Sequence, residues 1–218
     1  MLLQIETTET LESVSVFELL LNGGYMMIPI LLLWIGAIYI FVERLLVLKN
    51  AGKTPADFKD RIRSLVLAGE VNGARQLCAQ TDTPVARMIE KGVSRIGSPL
   101  KNIEVSIENT GKIELYRLEK NLSILATISG AAPMIGFLGT VTGMIQAFIA
   151  IAQEEGAVSP KLLSSGIYEA MVTTAAGLFV GILAYLGYNY LVSRVSKLVH
   201  TMEYSSIDFV DLLQEPQK

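Results

Sequence analysis

Three long stretches with almost no charge constrain this chain more than any other feature. Leu19 to Val42 runs 24 residues without a charged side chain, Asn121 to Gln153 runs 33, and Leu162 to Ser193 is broken only by Glu169. Each exceeds the roughly 20 helical residues needed to cross about 30 Å of hydrocarbon. No strand alternation is sustained enough to compete with helix. The expected fold class is an all-α integral membrane protein with three transmembrane helices. Composition agrees, since 51% of the residues are hydrophobic and the mean hydropathy is +0.45, too apolar for an ordinary soluble domain.

Positive charge sets the expected orientation. Residues 1 to 42 contain no Lys or Arg, the segment from Glu43 to Lys120 contains 14, and the loop from Gln153 to Lys161 contains one. By the positive-inside rule the basic segment is cytoplasmic, the N-terminus and the short loop lie outside, and the tail with Arg194 and Lys197 returns inside. The expected organisation is therefore an outer segment 1–24, a first span 25–43, a helical cytoplasmic domain 44–120, a second span 121–152, a short outer loop 153–161, a third span 162–193 and a cytoplasmic helix and tail 194–218. The N-terminus lacks a basic region and a small-residue cleavage site before the first span, so the reading is an uncleaved anchor. Thr10 to Leu21 reads as a short amphipathic helix, placed on the outer membrane surface or against a partner. Asn22-Gly23-Gly24 ends it.

In the first span, Pro29 lies near the outer end and Glu43-Arg44 closes the inner one. Its large Leu and Ile side chains, with only Gly36 and Ala37 small, suggest an outer helix that faces lipid. Beyond Lys49 one punctuation recurs: Thr54-Pro55, Thr83-Pro84, Ser98-Pro99 and Ser159-Pro160. A hydroxyl N-cap followed by Pro at the first helical position starts a helix, because Pro lacks only an N–H that would be unpaired there. This predicts helices near 55–68, 70–80 and 84–96, with Gly69 and Gly97 as stops. From Pro99 one uninterrupted helix is expected to run into the second span, and the third span is expected to continue into residues 194–213. Cys78, the sole cysteine, reads as a small buried hydrophobe, and His200 as a packing residue rather than a ligand.

Chemistry concentrates in the second and third spans. On a helix Glu169 shares a face with Thr173, Gly177, Gly181 and Ala184, small and polar where the rest of the span is large and apolar. An ionised acid at mid-membrane costs roughly 2.5–3.5 kcal/mol even on the lenient insertion scale, so that face is expected to turn toward other helices or a wet interior. At 1.5 Å per residue from Leu162, Glu169 lies about 10 Å into the membrane on the outer side. The second span carries a matching stripe of Ala132, Gly136, Thr140, Gly143 and Ala147. Gly136, Gly139 and Gly143 allow close backbone approach, and Thr140 and Thr142 could bond across helices or line water. Pro133 is expected to bend this span near its inner end.

These two segments resemble a known family. Ala132-Pro133-Met134-Ile135-Gly136-Phe137-Leu138-Gly139-Thr140-Val141-Thr142-Gly143-Met144 is similar to the AP-x-x-G-x-LGTV-x-GM signature of the MotA/TolQ/ExbB proton-channel family, and Glu169-Ala170-Met171-Val172-Thr173-Thr174-Ala175-Ala176-Gly177-Leu178 to its EAL-x-x-TA-x-GL signature, with Met171 in place of Leu. The resemblance implies a stator of an ion-driven motor in a Gram-negative inner membrane: a homopentamer around two copies of an ExbD- or TolR-like single-span partner whose membrane Asp loads and unloads protons. Work would then pass to a TonB-like protein. The resemblance implies that Thr140, Thr174 and Glu169 line the surroundings of that partner's Asp; with Thr173, which shares the face of Glu169, they make the expected polar wall, and the small-residue stripes assign Gly136, Gly139, Gly143, Gly177 and Gly181 to helix packing. The membrane acid and the short outer loop favour the ExbB or TolQ branch over MotA, and the extended acidic N-terminus leans toward ExbB.

Other functions find little support in the sequence. Gly52-Lys53-Thr54 has Val47 where a phosphate-binding loop needs Gly. There is no Cys/His metal cluster and no G-x-S-x-G elbow, so neither an enzyme nor a metal or other cofactor is expected. The basic segment also holds ten acids from Glu43 to Glu119, a mixed solvated surface rather than a nucleic-acid stripe. A non-conducting membrane scaffold, with lipid and partner helices as its only contacts, remains the alternative. One charge moved through 100 mV is worth about 2.3 kcal/mol, enough to drive a conducting subunit.

Overall fold

The computed structural model describes residues 23–153 and 160–214, with the side chains of 160–163 excepted. The amphipathic segment 10–21 and most of the loop 153–161 lie outside the described residues. Among the described residues seven helices run in chain order: α1 (Met27–Ala51), α2 (Phe58–Leu67), α3 (Val71–Thr81), α4 (Pro84–Val93), α5 (Leu100–Glu119), α6 (Leu122–Gln153) and α7 (Pro160–Gln214). All regular structure in these residues is helical. Three stretches among them are long and apolar enough to cross a membrane: Met27–Ala51, Leu100–Gln153 (α5 and α6 together) and Ser164–Gln214.

Contacts divide the chain into two compact units, residues 1–34 with 129–182 and residues 35–128 with 183–218. In the first, α6 from Ser129 onward packs against the first half of α7, and Met27 and Ile30 of α1 are buried. The second gathers α2 to α5 with the later parts of α1 and α7 and the start of α6.

Cap chemistry explains the short helices of the second unit. Thr83 accepts from the Ala86 N–H at 3.3 Å with Pro84 at the first helical position, as its sequence predicts. Thr54 behaves differently. Its hydroxyl donates to Thr83 Oγ1 at 3.0 Å, and α2 begins only at Phe58, after a turn closed from Phe58 N–H to Pro55 C=O. Gly69 (φ +74°) and Gly97 (φ +96°) hold the left-handed conformation that ends a helix. A Cβ on Gly92 would lie 2.6 Å from Phe209 of α7 and 2.7 Å from Ile107 of α5, so this glycine lets α4 wedge between both. Cys78 is 1% exposed, and burial pushes its thiol up to about 12.

One expectation is corrected. The run from Pro99 is two helices, because Lys120 is extended (ψ 136°) and Asn121 is left-handed (φ 63°) between them. Asn tolerates this conformation better than other non-glycine residues. Beside the break, buried Arg44 of α1 pairs with Glu43 and donates to the Arg117 carbonyl at 3.2 Å. α7 does continue from the apolar span into the tail as one 55-residue helix. Its buried residues there, Leu191, Val195, Met202, Ser205, Phe209 and Leu212, follow a repeat of seven, the seam of a left-handed coil. His200 departs from expectation: its side chain is 82% exposed, near Glu203.

Candidate functional site

The first unit contains the chemistry. Small residues on α6 and α7 bring the two backbones into contact, since a span without Cβ atoms at its interface can approach another to van der Waals distance. A Cβ on Gly136 would meet the Thr173 carbonyl oxygen at 2.8 Å, one on Gly177 the Ala132 carbonyl oxygen at 2.5 Å, and one on Gly143 the Ala170 Cβ at 3.1 Å. Gly181 faces Pro133, whose Cγ would lie 2.5 Å from an added Cβ, and Gly166 faces Ala147 at 2.7 Å. The two predicted stripes thus form one seam. Pro133 stands inside α6 and contributes to it.

Thr140 and Thr174 meet within this seam. Thr140 Oγ1 donates to the Ala170 carbonyl of α7 at 3.0 Å, Thr174 Oγ1 donates to the Gly136 carbonyl of α6 at 3.0 Å, and the two hydroxyls also hydrogen-bond each other. The two hydroxyls carry one proton each, so two of these three contacts are hydrogen bonds at any one time, and either hydroxyl can be the donor between them. Both residues are half-buried.

Thr173, grouped with them on the polar wall, sits elsewhere. It is 1% exposed, donates to the Ala170 carbonyl of its own helix at 2.8 Å, and has its hydroxyl 2.4 Å from where a Cβ of Gly139 would stand. Its position is that of a packing residue, because the 100° step between neighbours turns it into α6. Thr142 likewise bonds only within α6, to the Leu138 and Gly139 carbonyls. Neither of these hydroxyl hydrogen bonds crosses the interface.

Glu169 is half-buried near the Gly166–Ala147 end of this seam. Its carboxylate lies against Gly24, in the turn that leads into α1: a Cβ on Gly24, whose φ is +64°, would fall 1.7 Å from Oε1. The Gly23–Gly24 turn seats on α7 again at Val172, 3.3 Å from a Gly23 Cβ. The sequence marked these glycines only as a helix break. Their contact with Glu169 had no local signal, although two adjacent glycines ahead of a span are one residue more than a break requires.

A family model, the MotA/TolQ/ExbB proton channel family, matches residues 80–204, which include both signature segments. The chain belongs to the MotA/TolQ/ExbB proton channel family. It is 33% identical over 187 residues to a putative biopolymer transport protein ExbB-like 1 of Synechocystis, covering 81% of this chain and 70% of that one. Biopolymer transport protein ExbB of Neisseria gonorrhoeae is 30% identical over 172 residues (72% and 76%), and Tol-Pal system protein TolQ of Haemophilus influenzae 28% over 183 (79% and 78%). This ExbB/TolQ-type membership makes the chain a membrane transport protein. The Thr140–Thr174 bridge therefore joins the two signature segments of the family directly.

Proposed function

We propose that this chain is the stator subunit of an ion-driven motor, oriented with its N-terminus outside and its C-terminus in the cytoplasm of a Gram-negative inner membrane. Five copies surround two copies of an ExbD-like single-span partner, whose membrane Asp is loaded and unloaded as protons pass, and the resulting motion does work on a TonB-like protein that energises outer-membrane transport. The observation that carries this reading is the Thr140–Thr174 hydroxyl pair, a reorientable proton arrangement bridging the two spans below a half-buried carboxylate. Glu169, Thr140 and Thr174 form the polar surface facing the partner, with Thr173 behind them holding α7 against α6. A TolQ-type role in envelope integrity and division is the second reading, favoured by similarity to a Tol-Pal system protein over 79% of this chain.

Glu169→Gln and Thr174→Val test the conducting role. With assembly shown intact, each variant should abolish work driven by the proton motive force. A non-conducting scaffold predicts full activity in both. Copurification with a small protein that has one N-terminal span and an Asp within it would separate the motor from a scaffold for other cargo.

A further inference from the structure

Within the second unit, α1 and α7 form an open groove of about 420 Å³ lined by Leu45, Leu48, Lys49, Gly52, Tyr190, Arg194, Lys197 and Leu198, with Lys49, Arg194 and Lys197 exposed along it. Three of these are cations and none is an acid. The Tyr190 hydroxyl accepts from Arg194 Nε at 3.0 Å and Nη2 at 2.8 Å, and the guanidinium carbon lies 5.2 Å from the ring centroid. Arg194 is therefore held in one orientation, a tether that a merely solvated arginine does not need. Among the described residues Lys49, Arg194 and Lys197 form no ion pair, whereas Arg44, Arg87 and Arg117 each meet a carboxylate.

The position of the groove names its occupant. The uncharged run of α1 ends at Glu43-Arg44 and that of α7 at Ser193, so the three cations stand just past the hydrocarbon boundary, where lipid phosphates lie. Leu45, one turn nearer the membrane than Arg194, and Leu48, level with it, give the same groove an apolar wall on its membrane side, suited to glycerol and the first carbons of an acyl chain. A free phosphate would satisfy the cations and leave that wall bare. We propose that this groove holds the phosphate of an anionic phospholipid, with its glycerol and proximal acyl carbons against Leu45 and Leu48. The inference rests on the reading that α1 and α7 cross the bilayer, and it makes no use of Glu169 or the threonine pair.

Native mass spectrometry of the full chain in detergent, with dioctanoyl phosphatidylglycerol, dioctanoyl phosphatidylcholine or sodium phosphate added, tests it. Phosphatidylglycerol should be retained in preference to phosphatidylcholine. Each of Lys49→Gln, Arg194→Gln and Lys197→Gln should lower its affinity about five-fold, the ratio matching the ~1 kcal/mol of one cation near an anionic surface, and Lys101→Gln should leave it unchanged. Tyr190→Phe, which keeps every charge, should weaken retention by freeing Arg194, and covers the case in which a charge variant fails to assemble. Equal retention of both lipids, wild-type affinity in the three Gln variants, or displacement of the lipid by millimolar phosphate would overturn the proposal. Occupancy is read without an ion gradient, so its failure is distinct from failure of the motor reading.

Discussion

At the scale of single residues, the contact between Gly24 and Glu169 ties the start of one span to the acid of another. The carboxylate oxygen occupies space that any other residue at position 24 would fill with its Cβ. Gly24 also holds φ +64°, a region that costs an L-residue roughly 1–2 kcal/mol. Gly24→Ala should therefore turn the carboxylate away and lower ion-driven work about ten-fold, the ratio for ~1.4 kcal/mol. The double variant Gly24→Ala/Glu169→Gln separates this from simple backbone strain. If the glycine acts through the carboxylate, the double variant should be no worse than Glu169→Gln alone, since coupled neighbours are not additive. An additive loss would assign Gly24 to the turn only.

At the scale of elements, α4 is joined to α5 by charge as well as by packing. Glu114 is 2% exposed, and its two oxygens accept from Arg87 Nη2 and Arg117 Nη1, both at 2.7 Å. The Glu114 carboxylate beside Arg87 is the main reason the guanidinium is held above its ordinary value. Removing one member of a buried pair leaves the other uncompensated, at about 3–5 kcal/mol. Arg87 keeps 31% of its side-chain surface, so Glu114→Ala should cost near the lower end, about 3 kcal/mol, read as a fall in unfolding temperature. A loss under about 1 kcal/mol, the range of surface pairs, would show that water replaces the carboxylate.

The same elements show which features were legible in the sequence. Thr83-Pro84, Gly69 and Gly97 announced helix ends because caps are local, and the small-residue stripes of α6 and α7 stood out because an apolar span has few other uses for Gly and Thr. The break at Lys120-Asn121 did not stand out, because the change there from a charged to an uncharged run reads equally as one helix entering the membrane, and only the tolerance of Asn for a left-handed backbone hints at a break. Thr173 was grouped with the polar wall because it lies four residues from Glu169 on one helix face, while one helical step separates the bridging hydroxyl of Thr174 from its own packed one. Gly24 and Glu169 meet across most of the chain, a contact that no periodicity encodes.

At the scale of the whole molecule, the proposed motor reading requires that load pass through the same helices that would line the ion path, so on that reading the α6–α7 seam has to be rigid as well as polar. Gly177 is where the two backbones press closest, with an added Cβ only 2.5 Å from the Ala132 carbonyl oxygen and 2.9 Å from the Gly136 Cα. Both are backbone atoms, so no side chain can rotate out of the way. Gly177→Ala should therefore force the helices apart, at about 1–3 kcal/mol for overpacking, and stretch the Thr140–Thr174 bridge while leaving every polar group in place. Gly130 of α6 has nothing within 4 Å of an added Cβ, and Gly130→Ala gains helix propensity at no steric cost in the protomer. We expect Gly177→Ala to lower both the unfolding temperature in detergent and the work obtained from a proton gradient, with Gly130→Ala matching the wild type in both. A lowered unfolding temperature with full activity would mean that hydroxyl contact across the seam is not required for conduction. An unchanged temperature would mean that the backbones have room to slide.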